Sequence, residues 1–166
     1  MTESIYFSDN FFSSGITTIY NENKESIGNL DLKSAFTSSL AILDLEGNPI
    51  CEGKFRTFSN KWVISENGTE IGELKRKFSF FKKNFEYLSY NNGVISIESE
   101  AFSKEYTLHQ NDALTADFRK ASGFFASPTF KLVNHSELFT NAELITVVMG
   151  VHMIIKRNSA AANSSH

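Results

Sequence analysis

The sequence predicts a mainly β (α+β) fold: a closed antiparallel barrel of about twelve strands around a buried, hydrophobic C-terminal helix. Three observations lead there. Residues 140–157 are capped like a helix and apolar on every side. The chain before them is a succession of short strand-like runs separated by turn signals. Those runs follow a 22-residue repeat marked by Phe36, Phe58, Phe80, Phe102 and Phe124.

Thr140 followed three residues later by Glu143 is a capping box, which satisfies the first amides of a helix. Leu138 or Phe139 before the cap and Leu144 after it suit a hydrophobic staple. Lys156 and Arg157 close the run, where positive charge favours a helix end. Residues 144–155 present no polar face, so protein or lipid must surround them. They are fewer than the roughly 20 that a membrane span needs, so the rest of the chain is expected to enclose them. Ile145, Val147, Val148, Val151, Ile154 and Ile155 are β-branched and leave a thirteenth strand as the alternative. The capping box and the length of the run decide for a helix. Gly150 costs about 1 kcal/mol against Ala at mid-helix, and makes sense where a bulky barrel side chain approaches the helix backbone. Residues 159–166 read as a disordered tail, leaving 1–158 as a single domain.

In chain order the strand-like runs are 11–20, 26–32, 40–45, 50–58, 61–65, 71–78, 85–90, 94–99, 106–110, 114–118 and 129–133. Turn signals separate them: Glu46-Gly47-Asn48-Pro49, Asn67-Gly68 and Asn92-Gly93. Pro49 and Pro128 fall at boundaries, where strands tolerate proline. The repeat words are Ala35-Phe36-Thr37, Thr57-Phe58-Ser59, Ser79-Phe80-Phe81 and Ala101-Phe102-Ser103, with Phe12-Ser13-Ser14 opening an earlier copy. A period of 22 fits one strand–turn–strand unit. Isolated hairpins are marginal, so the units must share a core. An open sheet of this size would curl or split, whereas closure removes the edges and makes an interior that the helix can fill.

Net charge is -3, which gives no general attraction to nucleic acid. The single Cys51 excludes an intramolecular disulfide framework and fits a reducing compartment. Met1-Thr2-Glu3-Ser4 lacks the basic and apolar regions of a signal peptide, so a cytoplasmic location is expected, peripheral to the membrane where lipid is bound. On that expectation the glycosylation-like triplets at Asn67 and Asn134 are chance matches.

The order of parts resembles the LURP-one-related family of the Tubby C-terminal-like superfamily, which also includes the phospholipid scramblases. The resemblance lies in a strand, an Asp-x-x-Gly turn and a second strand at Ile42-Leu43-Asp44-Leu45-Glu46-Gly47-Asn48-Pro49-Ile50. It returns at residues 62–71, with Glu66 in place of the Asp, and at 105–114, with Asp112 in place of the Gly. The closing apolar helix is the family's other hallmark, and the likeness spans residues 5–157. It implies a twelve-stranded barrel around a central C-terminal helix. Tubby-like relatives bind phosphoinositide headgroups, which implies a binding or scaffold role. The chain lacks the calcium-binding acidic loop, cysteine cluster and Pro-rich arm of a scramblase.

No enzyme motif stands out. There is no Gly-x-Ser-x-Gly elbow, Gly-rich phosphate loop or His-Glu-x-x-His. The four histidines are scattered and no metal site or cofactor is implied. His152 on the core helix reads as a neutral, hydrogen-bonded imidazole, or else as a pH-sensitive group. Cys51 lacks an activating neighbour and reads as packing. The stretch that departs from average runs from Lys75 to Lys83 and holds five of the sixteen basic residues. Lys75 and Lys77 should share one strand face, with Leu74, Arg76 and Phe78 on the other and Lys82 and Lys83 in the following turn. Lysines can simply guard a strand edge. Lys75, Arg76, Lys77, Phe81, Lys82 and Lys83 can equally hold an anionic headgroup, with the ring in the lipid interface. The expected function is therefore a non-enzymatic binding or scaffold module for anionic phospholipid or phosphoinositide, with no nucleic-acid specificity and no transmembrane segment. The alternatives are a protein–protein adaptor, or an enzyme whose site is assembled from distant residues.

Overall fold

The predicted runs pair with their neighbours in sequence order. The computed structural model describes residues 2–8, 15–34, 39–80, 82–99, 104–125 and 129–164. Twelve strands among these residues are β1 (Glu3–Ser8), β2 (Gly15–Tyr20), β3 (Ser26–Ser34), β4 (Ser39–Leu43), β5 (Pro49–Phe55), β6 (Trp62–Glu66), β7 (Thr69–Lys77), β8 (Lys83–Ser89), β9 (Gly93–Ser99), β10 (Tyr106–Gln110), β11 (Ala113–Ala121) and β12 (Thr129–Asn134). Each pairs antiparallel with the next, and β1 pairs with β12 to close the barrel. Period-two alternation drives the closure. Phe85 and Tyr87 of β8, and Ile95 and Ile97 of β9, point inward and are buried.

β1 has no counterpart among the predicted runs. Four of its residues in succession are buried, so its alternation is hidden. Its outward-facing Tyr6 is covered by Phe124, the rings stacked 3.7 Å apart. The strand expected over 50–58 ends at Phe55, and Phe58 stands in the connection that follows. The run 71–78 stops at Lys77, leaving Phe78 and Phe80 in the β7–β8 connection. Of the repeat markers, Phe12, Phe36 and Phe102 lie outside the described residues.

Tight turns gather at one end of the barrel. At Asn67-Gly68 the φ angles are 48° and 82°, and at Asn111-Asp112 they are 49° and 67°. These are the left-handed pairs that match the twist of a two-residue hairpin. The helix α1 (Asn141–Ser164) starts at this end. The Glu143 amide donates to Thr140 Oγ1 at 3.1 Å, and the Glu143 carboxylate accepts from the Thr140 amide, which completes the expected capping box. The helix runs through the barrel to the opposite end, where Arg157 Nη1 donates to Ser59 O at 3.1 Å. It continues to Ser164, through residues where a tail was expected.

The helix lies close to β5, β6 and β7 because two aromatic rings rest on glycines there. A Cβ on Gly53 would stand 2.4 Å from Trp62 Cζ2, and one on Gly150 would stand 2.4 Å from Trp62 Cδ1. The indole is thus pressed between the β5 backbone and the helix backbone, and its Nε1 donates to Thr146 O at 3.2 Å. Tyr87 leans over Gly72 in the same way and donates to Glu143 Oε1 at 2.7 Å. Stacked Phe118 and Phe130, 5.2 Å apart, fill the interior on the opposite side together with Phe7.

Helix propensity alone makes Gly150→Ala stabilising by about 1 kcal/mol. With the indole held on both faces the added methyl is overpacked, so the variant should instead lose about 1–3 kcal/mol in chemical denaturation. Val148→Asp should not fold at all by circular dichroism. An unpaired carboxylate at a buried helix position costs several kcal/mol or more, against a typical total of about 5–15 kcal/mol.

Candidate functional site

The end of the barrel opposite the tight turns carries the basic stretch. Strand alternation sends Leu74 inward and Lys75 and Lys77 outward, as expected. Both ammonium groups reach Glu86 on β8, Lys75 at 3.6 Å and Lys77 at 3.0 Å. The Lys77 hydrogen bond, followed by the charges of Lys77 and Lys75, holds the Glu86 carboxyl below its ordinary value against a raising effect of burial. Lys82 reaches Glu98 at 3.4 Å. Lys83 is not in the turn but opens β8, opposite Ser99, and is half-buried.

Arg76 and Phe78, placed by alternation on the inward side, are both exposed. Arg76 sits opposite buried Phe85 one residue before the end of β7, and its guanidinium stays in water. It makes no ion pair among the described residues. Phe81 lies outside the described residues.

Sequence reasoning missed the phenylalanines of this rim. Phe58 is fully exposed, and Phe78 and Phe80 are 86% and 84% exposed, packed edge-to-face at 4.9 Å. The signal was present in the repeat. Thr57-Phe58-Ser59 and Ser79-Phe80-Phe81 set the ring among turn-type residues, so the repeat marks connections rather than core.

Backbone hydrogen bonds close the Phe58 connection. The Ser59 amide donates to Arg56 O at 3.1 Å and the Arg56 amide to Lys61 O at 2.9 Å. Phe58 falls where the turn requires φ of 55°, a conformation that costs a bulky side chain about 1–2 kcal/mol. Lys156 and Arg157 do not close the helix as expected, since it runs on to Ser164 with no basic residue in its last turn; Arg157 instead lies 4.2 Å from the Phe55 ring centroid while holding Ser59 O, so the helix braces this connection.

Three lysines lie near His152 at the barrel mouth. Burial, then the charges of Lys104, Lys156 and Lys83, push the His152 imidazole down to about 4. It is therefore neutral at pH 7. Cys51 is buried and accepts a hydrogen bond from Thr146 Oγ1 at 3.3 Å. Burial pushes its thiol up to about 11, so it packs rather than attacks. Elsewhere, on the outer wall, His135 Nε2 lies 3.0 Å from Asp117 Oδ2 while Arg119 lies 2.7 Å from Oδ1. Among the described residues no group of three His, Cys, Asp or Glu is placed to hold a metal ion. No helix there is long and apolar enough to cross a membrane.

The family model described as LURP-one-related matches residues 5–145. No curated protein matches the chain. Among solved structures, the X-ray structure of an Arabidopsis thaliana protein is similar over 95% of this chain and 91% of its own, with a TM-score of 0.61 and 11% identity, a likeness of fold.

His152 makes stability depend on pH. Its folded value lies below the ordinary 6.5, so the unfolded chain takes up the proton first and stability falls as pH drops from about 6.5 to about 4. The loss is about 3 kcal/mol. Glu143 acts the other way: burial raises its carboxyl, so its contribution improves on acidification. Urea melts at pH about 7 and about 4.5 should show the net loss in the native chain and a flatter response in His152→Gln.

Proposed function

The chain belongs to the LURP-one-related family of the Tubby-like superfamily, and on that premise we propose that it is a non-enzymatic binding module that docks the open end of its barrel on a bilayer containing anionic phospholipid. Phe58 carries this reading. A ring held wholly in water, in a backbone conformation that disfavours it, is costly for folding and gains nothing there. Insertion into the interface would recover about 1.5–3 kcal/mol for each fully buried Phe. Phe78 and Phe80 stand in the next corresponding connection at the same end. Around them Lys75, Arg76, Lys77, Lys82 and the helix residues Lys156 and Arg157 supply the charge, at about 1 kcal/mol per basic residue near an anionic surface. Glu86 and Glu98 take part of that attraction from three of the lysines, which leaves Arg76 the least compensated.

Flotation with phosphatidylserine vesicles tests the docking. Binding should weaken as salt rises, and Arg76→Gln should weaken it more than Lys82→Gln. Phe58→Gly is the sharper variant, because it relieves the backbone strain. Its melting temperature should match or exceed that of the native chain while its vesicle binding falls by roughly tenfold or more. A native protein that ignores such vesicles at low salt overturns the docking reading and leaves the exposed rings to a protein partner.

A further inference from the structure

A second basic site lies on the outer wall across β1, β12 and β11, away from β7 and β8 in the strand order. Strand register builds it. Tyr6 of β1 stands opposite Lys131 of β12, and Lys131 stands opposite Arg119 of β11. Two cations directly opposite one another on adjacent strands repel, so this pairing works against the sheet. Lys120 follows on β11 opposite buried Phe130, at the rim of this face, and the connection after it turns back so that Phe124 covers Tyr6. Together Tyr6, Arg119, Lys120, Phe124 and Lys131 line an open groove of about 380 Å³ with no carboxylate in its walls.

The compensation is incomplete. Arg119 leans on Asp117, but the ammonium groups of Lys120 and Lys131 make no ion pair among the described residues. Lys131 instead lies 5.5 Å from the Tyr6 ring centroid. Lys24, from the β2–β3 turn, adds a fourth cation, held 5.4 Å from the Phe124 centroid.

We infer that this groove binds a phosphate monoester. Arg119 and Lys131, side by side on the outer face, match the charge of a dianion, and the planar guanidinium suits a tetrahedral oxyanion. The Tyr6–Phe124 stack gives the non-phosphate part of the ligand an aromatic wall. Such an ester is carried by a soluble metabolite or by a lipid headgroup, and glycerol phosphate and phosphatidic acid present the same group in the two settings. The site uses none of the rim phenylalanines, so it stands or falls independently of bilayer docking.

Amide NMR spectra of the full chain, titrated with glycerol phosphate at constant ionic strength, should show shifts confined to the end of β11, the following connection and the start of β12. Lys131→Gln should weaken this binding about tenfold, the value of one charge-assisted hydrogen bond, while Phe58→Gly leaves it unchanged. Removing one of two repelling cations should not lower the melting temperature; should Lys131→Gln nonetheless fail to fold, Arg119→Gln serves the same comparison. Vesicles of phosphatidylcholine with and without phosphatidic acid form the second arm. Binding to those vesicles alone, sensitive to Lys131→Gln, makes the ester a lipid; binding of glycerol phosphate as well admits a soluble one. Silence in both arms, or shifts that persist unchanged in the Arg119→Gln, Lys131→Gln double variant, overturns the inference.

Discussion

An indole ring pressed between two glycine backbones sets the position of everything else in this molecule. Trp62 fits only because Gly53 and Gly150 have no side chains, and its single donor is spent on the helix carbonyl of Thr146. A close-packed interior has few voids to absorb a displaced ring, so the helix cannot slide without either opening a cavity or stranding the indole N–H. Tyr87 repeats the device one helical turn nearer the N-terminus, resting on Gly72 and bonding Glu143. Glycine in a strand is normally a weakness, and a diagonal aromatic cover is a known remedy; here the cover also reaches the helix.

That clamp extends to the barrel mouth. Phe55 packs edge-to-face on Trp62 at 5.2 Å, Arg157 lies over Phe55, and the same guanidinium holds the Phe58 connection through Ser59. A continuous set of contacts thus links the buried indole to the most exposed ring of the rim. The rim phenylalanines project from a braced edge rather than from a free loop, which suits a surface that must meet its partner without first paying to become ordered.

Much of the fold was legible because it rests on local signals. The capping box, the all-apolar helix, the Asn-Gly turns and the 22-residue repeat each declare themselves within a few residues. Gly150 was legible too, as the trace of a ring not yet identified. β1 was hidden because its outer face is covered by a distant phenylalanine. The site was harder for a related reason. Phe58 and Phe80 belong to a Phe-rich chain, and nothing in a phenylalanine distinguishes core from rim until the strand ends are known. The basic stretch could be counted in the sequence, but its neutralisation by Glu86 and Glu98 comes from β8 and β9. The outer-wall groove was invisible, since Tyr6, Arg119 and Lys131 meet only through strand register.

The two ends of the barrel obey different rules. At the tight-turn end, local preference and global fold agree at the β6–β7 and β10–β11 turns, whose left-handed positions fall on Asn-Gly and Asn-Asp, and at the capped helix start, with Lys24 at φ 64° the exception. Toward the other end the chain accepts terms that folding alone would remove. Phe58 occupies a left-handed position better suited to glycine, three rings stand in water, and Lys131 faces Arg119 across a strand pair. Local conflicts in an otherwise consistent sequence tend to mark function. That three of them gather beyond the middle of one barrel, at the end where burial and then nearby lysines keep His152 neutral, locates the working face of the molecule by energetics rather than by motif.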